Sequence, residues 1–375
     1  MSAAVAPSDD YQPPSRGFGD WISDGLYQFY ANSSWLGKGT EHSREHCLYV
    51  NERDRNGEAV EMKRSDLPPK PDNCVRVVYT SDTHDCHREL GVMPPGDIFV
   101  YGGDILFVSR WYHESTKARK MKDFNDWLGT HVNCPVVVCI GGNHDDFLES
   151  LGKDRVKSVL SNVTHYIENN EVTVGNLRFF GSPASEGRSH NRAFQSEDFR
   201  KAAQEASKAL HAEVRRGGEP IDVFLSHGPE DKIVDLLAPR VHLWGHVHQL
   251  YGVTHRDTKS MKGSQMVPQG TLSVNASAMD HTMSPTNPPI VVDILDHESA
   301  KTSGNNPRFT IVQPNLIAVP GSGIFKRAAS GSEAGGSQET AGSLTGSEAT
   351  GAGRSRKNSV QVLAARVRKN SQQIL

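Results

Sequence analysis

Short, β-branched apolar runs recur through the body of the chain, most of them separated by longer stretches with helical spacing. Residues 75–80, 97–101 and 135–140 each read as a buried strand. Between the last two, residues 117–128 set Met121, Phe124 and Leu128 on one helical face. Residues 171–174 and 177–180 flank Gly175-Asn176, a hairpin signature. Residues 196–215 predict a helix. Phe199, Ala203, Ala206, Leu210 and Val214 share a face there, and Gly217-Gly218 stops it. Residues 221–225 and 241–244 are further short strands, and residues 271–274, 290–295 and 309–312 form a late section of strands alone. Strands alternating with helices early, then strands by themselves, predict a layered α/β sandwich.

The ends of the chain differ from this body. Residues 21–36 are rich in aromatics, and Ile22, Leu26, Phe29 and Tyr30 fall on one short helical stripe. This predicts an arm packed on the main domain. Prolines at 68, 69 and 71 mark a boundary. From 321 to 354, 21 of 34 residues are Gly, Ser or Ala, which cannot build a core. The expected organisation is a partly ordered extension over 1–73, a folded domain over 74–318 and a disordered tail over 319–375.

Composition narrows the function. The 375 residues are 36% hydrophobic and 23% charged, with a formal charge of -3. From residue 321 on, 8 basic groups stand against 3 acidic ones, a charge of +5. The preceding residues carry 33 basic and 41 acidic groups, a charge of -8, which disfavours nucleic acid as a partner. No apolar run approaches ~18 residues, so no membrane partner is expected. The first ten residues lack a basic flank followed by an apolar stretch, so no secretory signal is expected. Five scattered cysteines without a C-x-x-C pair argue against disulfides and a cysteine zinc site. A cytoplasmic setting is the expectation.

Seventeen histidines point elsewhere. Five small clusters follow predicted strands: Ser81-Asp82-Thr83-His84, Gly102-Gly103-Asp104, Gly141-Gly142-Asn143-His144-Asp145, Ser226-His227-Gly228 and Gly245-His246-Val247-His248. Ligand sites in open α/β sheets form beyond the carboxyl ends of strands. Neighbouring glycines let the backbone turn tightly there. Asp82, His84, Asp104, Asn143, His227, His246 and His248 offer only nitrogen and oxygen donors, which suit Mn, Fe, Zn or Ni. Two such divalent ions can clamp a phosphoryl group and activate a water.

The order D-x-H, G-D, G-N-H-D, H, G-H-x-H over residues 82–248 resembles the calcineurin-like metallophosphoesterase superfamily. Residues 124–129, 171–174 and 285–290 extend the resemblance to the metallophosphoesterase-domain (MPPED-type) subgroup, related to class III cyclic nucleotide phosphodiesterases. The resemblance implies a four-layer α/β/β/α sandwich and two divalent metal ions. Asp82, His84, Asp104 and His248 would hold the first ion. Asp104, Asn143, His227 and His246 would hold the second, with Asp104 bridging. A hydroxide between the ions would attack phosphorus. His144 would be the catalytic group at the phosphate, Asp145 would orient it or cap the next helix, and Asn143 would also touch substrate. Some MPPED-type relatives carry Gly where this chain has His246, so the ligand set here is complete.

The implied function is a metal-dependent phosphodiesterase, manganese being one candidate ion, acting on cyclic nucleotides or another small phosphodiester. A protein phosphatase and a non-catalytic nucleotide-binding or scaffold protein are the alternatives. Relatives often carry aromatics after the G-x-P matched by Gly181-Ser182-Pro183; here the loop offers Arg188, His190 and Arg192, with Phe194 its one aromatic. Extra length over 257–270 predicts a surface hairpin or lid. In the tail, Arg-Lys-Asn-Ser ends at Ser359 and again at Ser371, a spacing that suits basophilic kinases as partners.

Overall fold

The computed structural model describes residues 39–52, 58–107, 109, 112–187, 190–262 and 265–296. The aromatic stripe at 21–36, the strand expected at 309–312, Arg188 and the tail from 319 lie outside the described residues.

Two sheets carry the fold. The first holds β1 (His46–Asn51), β2 (Val60–Lys63), β3 (Cys74–Thr80), β4 (Ile98–Tyr101), β5 (Val136–Cys139), β6 (His165–Tyr166) and β13 (Ile290–Leu295), in the order β2-β1-β13-β3-β4-β5-β6. The second holds β7 (Asn170–Val174), β8 (Leu177–Ser182), β9 (Val223–Ser226), β10 (Val241–Trp244), β11 (Gly252–Lys262) and β12 (Gln265–Asn275), in the order β11-β12-β10-β9-β8-β7. Strands β3, β4 and β5 run parallel, as do β9 and β10, so their carboxyl ends share one edge within each sheet. The extra length over 257–270 belongs to the long antiparallel hairpin β11–β12.

Strand alternation sorts side chains into layers. Val77, Tyr79, Val100 and Val138 of the first sheet pack with Phe179, Val223, Leu225, Val241, Leu243 and Val274 of the second in one apolar core. The opposite face of the first sheet, with Val78, Phe99, Tyr101 and Val137, is covered by α2 (Glu114–His131) through Ala118, Met121, Phe124 and Trp127. Phe180 and Phe224 of the second sheet meet α4 (Glu197–Arg215) and α5 (Asp231–Leu237). The architecture is therefore helix, sheet, sheet, helix. Helix α4 begins where its sequence asks: the Ser196 hydroxyl accepts the Phe199 N–H as an N-cap. None of the helices among the described residues is long and apolar enough to cross a membrane.

The domain starts earlier than the boundary expected at residue 74. A short helix, α1 (Glu41–Glu45), leads into β1, which pairs with both β13 and β2. Just past β1, buried Glu52 accepts Arg240 Nε at 2.8 Å and pairs with Nη2 as well. Arg240 also donates to Asp222 Oδ1 at 2.9 Å and to the Leu295 carbonyl at 3.0 Å. These groups sit at strand ends of both sheets, so the ion cluster fastens one sheet to the other. Removing one partner from a buried, hydrogen-bonded ion group strands the remaining charges. Arg240→Met is therefore expected to lower unfolding free energy by about 3–5 kcal/mol in urea titrations. An unchanged midpoint would show that the cluster does not fasten the sheets.

Candidate metal centre

Each of the five clusters begins where a strand ends. The ladder of β3 runs out at Thr80, that of β4 at Tyr101, β5 at Cys139, β9 at Ser226 and β10 at Trp244. The backbone then turns into conformations that side chains rarely adopt. Asp82, His84, Asp104 and His246 have φ of 52°, 43°, 58° and 65°. Left-handed backbone at a non-glycine residue costs on the order of 1–2 kcal/mol, and such strain concentrates at functional sites. Two glycines make the approach possible. A Cβ at Gly142 would collide with Asp104 Oδ1, and one at Gly245 with Asp82 Oδ2.

The turns bring the expected residues together in three overlapping triads: Asp82, His84 and His248; His84, Asp104 and His144; Asp104, His227 and His246. Within each triad the donor atoms lie within 4.8 Å of one another. Asp104 links the last two, with His227 Nε2 3.3 Å from Oδ1 and His84 Nε2 3.8 Å from Oδ2. Asn143 joins through Oδ1, 2.9 Å from His227 Nε2. His248 Nε2 lies 3.5 Å from Asp82 Oδ1 and 3.3 Å from His84 Nε2. All seven expected ligands thus gather at one locus, as does His144.

Main-chain carbonyls fix the imidazole tautomers. His84 Nδ1–H donates to Leu106 O at 2.9 Å, His227 Nδ1–H to Gly102 O at 2.9 Å, and His246 Nε2–H to Glu186 O at 3.1 Å. In each ring the other nitrogen is turned into the site, the position a metal ligand needs. Burial lowers the pKa of His84 and takes His246 down to about 4, against the pull of nearby carboxylates. His227 goes the other way. Burial opposes its charge, but the adjacent Asp104 carboxylate lifts it to about 9. Burial also opposes ionisation of Asp82 and Asp104. The histidine charges outweigh it and hold both carboxyls well below the usual carboxylate range. Asp82 further accepts the His246 N–H at 3.0 Å and the Ser277 hydroxyl at 2.9 Å. A buried set of carboxylates and imidazoles, with ring nitrogens kept free of main-chain bonds, fits divalent cations and offers no thiolate.

Two sequence expectations need correction or completion. Asp145 does not orient His144, and its side chain does not cap α3 (Asp146–Leu151) either. Its carboxylate accepts main-chain N–H groups of Asp104 at 2.9 Å, Ile105 at 3.0 Å, Leu106 at 3.2 Å and Gly142 at 2.9 Å. It therefore moulds the loop that presents Asp104. Burial and then the Asp104 charge push the pKa of the Asp145 carboxyl upward, while these donors pull the other way and favour the carboxylate. His144 is held instead by the Phe107 carbonyl at Nδ1 and by the Asn191 amide, 3.3 Å from Nε2. Burial takes His144 down to about 4. Asn191 also accepts the Asn143 amide through its main-chain carbonyl at 3.1 Å. Nothing in the sequence singled out Asn191; only its position in the loop after Gly181-Ser182-Pro183 placed it near. His190 and Arg192 of that loop are exposed.

Asp145→Asn is expected to weaken metal binding about 10–100-fold, because one oxygen becomes a donor facing donors. Metal titration of the purified variant checks this. Full metal affinity with a slower turnover would instead return Asp145 to the role of orienting His144.

The calcineurin-like phosphoesterase family matches residues 75–250. The human and mouse proteins named metallophosphoesterase domain-containing protein 1 are each 28% identical over 268 residues, covering 60% of this chain and 73% of the relative. A UPF0046 protein of Caenorhabditis elegans is 26% identical over 277 residues, covering 63% of this chain and 86% of that protein. The matched residues hold every candidate ligand from Asp82 to His248, which makes residues 75–250 of this chain a calcineurin-like phosphoesterase domain.

Proposed function

We propose that this protein is a dinuclear-metal phosphodiesterase acting on cyclic nucleotides or other small phosphodiesters. The observation that carries this reading is the position of Asp104, whose two oxygens face histidines of two different triads. Asp82, His84, Asp104 and His248 would hold one cation. Asp104, Asn143, His227 and His246 would hold the other. Bound there, the pair would supply Lewis acidity and a water acidic enough to react near neutral pH.

The chain's own groups do the rest. His144 turns Nδ1 to the Phe107 carbonyl, so Nε2 is the nitrogen left to meet the phosphate, and it would give a proton to the leaving oxygen only after taking one up. Its main-chain N–H is committed to Asp104 Oδ1 at 2.8 Å, which ties the position of the ring to the shared carboxylate. Asn191 restrains the same ring from the other side. The presence of His246 beside Asp104 and His227 supports catalysis over a nucleotide-binding scaffold. The acidic body supports a small substrate over nucleic acid.

Hydrolysis of bis-p-nitrophenyl phosphate with added Mn²⁺ tests the reading. A panel of 2′,3′- and 3′,5′-cyclic nucleotides, a phosphopeptide and single-stranded DNA then sorts the substrate. Turnover of the cyclic nucleotides is expected. Turnover of the phosphopeptide alone would make the protein a phosphatase, and a folded, metal-loaded protein without turnover would make it a scaffold. Asp104→Asn should lose metal and activity together. His144→Ala should keep metal while slowing poor leaving groups about 100- to 10,000-fold. Loss of metal in both variants, or in neither, would overturn these roles.

A further inference from the structure

His42, His46 and Glu61 form a cluster of metal-ligating side chains that the phosphoesterase centre does not use. We propose that this cluster is a second cation site, of the zinc class, that pins α1 and the edge strand β2 to the body of the first sheet.

The placement follows from local structure. The Thr40 side chain accepts the Ser43 N–H at 3.1 Å, and Ser43 Oγ accepts the Thr40 N–H at 3.0 Å, a reciprocal cap that starts α1. His42 lies within this helix and His46 terminates it, four residues on, so both rings fall on one face. The rings stack with centroids 4.9 Å apart and planes 27° apart. Glu61 arrives from the neighbouring strand. β1 and β2 are antiparallel with His46 opposite Lys63 and Leu48 opposite Glu61, which sets His46 and Glu61 diagonally on one sheet face. His42 Nδ1 lies 3.4 Å from Glu61 Oε1, and the three donor atoms lie within 4.8 Å of one another.

A second observation points to a ligand. His46 Nδ1 is buried and has no hydrogen-bond partner among the described residues. A buried imidazole nitrogen left unmatched is costly, and a cation held by the cluster gives it a partner. Nearby cations are already engaged: Arg44 with Glu89, Lys63 with Glu45, and Arg64 with the carbonyls of Ser43, His46 and Leu90. Two imidazoles and one carboxylate are the donor set of three-ligand zinc sites, with a fourth position left to water. Calcium and magnesium prefer all-oxygen shells and are disfavoured.

The location gives the site a structural task. β2 is the outermost strand of its sheet and is mostly exposed, with little apolar burial to hold it. A cation bridging α1, β1 and β2 closes that edge without a core. His42 and Glu61 are partly exposed, at 36% and 30%, so solvent cations can reach them.

The test uses the full chain, stripped of metal and dialysed against buffered zinc. Zinc per chain is measured for wild type, His42→Gln and Glu61→Gln, with thermal melting followed in zinc and in chelator. Each variant is expected to bind about one equivalent less than wild type. Each should also lose part of the zinc-induced rise in Tm and retain turnover of bis-p-nitrophenyl phosphate. Two variants on different elements guard against one that misfolds. Equal zinc content in wild type and both variants would overturn the site. So would a Tm loss that is the same with and without zinc, since it would reduce the cluster to a His42–Glu61 ion pair.

Discussion

Burying the Asp82 and Asp104 carboxylates costs free energy unless cations, N–H donors or hydroxyls surround them. Much of the irregular backbone in this protein answers that constraint. Asp82 is met by the His246 amide and the Ser277 hydroxyl. Asp104 is met by the His144 amide and by imidazoles from both sheets. The loop that presents Asp104 is in turn wrapped around the Asp145 carboxylate. The left-handed turns at Asp82, His84, Asp104 and His246 are the conformational cost of that convergence.

The same logic recurs away from the centre. Glu52, Asp222 and Arg240 are buried charges that satisfy one another across the sandwich. Arg76 and Asp293 form a second buried pair between β3 and β13, with contacts of 2.8 and 2.7 Å. These ion groups sit at strand ends and between neighbouring strands, where the apolar core cannot reach. They fix the relative placement of the strands whose far ends carry the candidate ligands.

What could be read from the sequence follows from the range of the forces involved. β10 and β13 coincide with their apolar runs, because a strand buried on both faces shows its character in its own residues. The five ligand clusters stood out because their donor residues directly follow apolar runs, in four of them beside glycine. β2 did not stand out: Val-Glu-Met-Lys on an exposed edge has no apolar pattern to betray it, and its pairing with β1 supplies the missing stability. Glu52 was hidden for a related reason, since its partners are Arg240 and the Leu295 amide. Asp145 was misread because its partners are main-chain groups, and Asn191 was missed because it meets His144 and Asn143 from a loop distant in the chain. No side-chain spacing records that the amides of 104–106 will face Asp145.

The candidate ligands come in two instalments along the chain. Asp82, His84, Asp104 and Asn143 follow strands of the first sheet, whereas His227, His246 and His248 follow strands of the second. During synthesis the first group emerges well before the second, and only together do they supply all seven donors. The centre comes into being only when the two halves dock, after a long loop closure has been completed. Full coordination of an ion is thereby coupled to the meeting of the two sheets, and a chain that has made only the first sheet offers no more than part of the donor set.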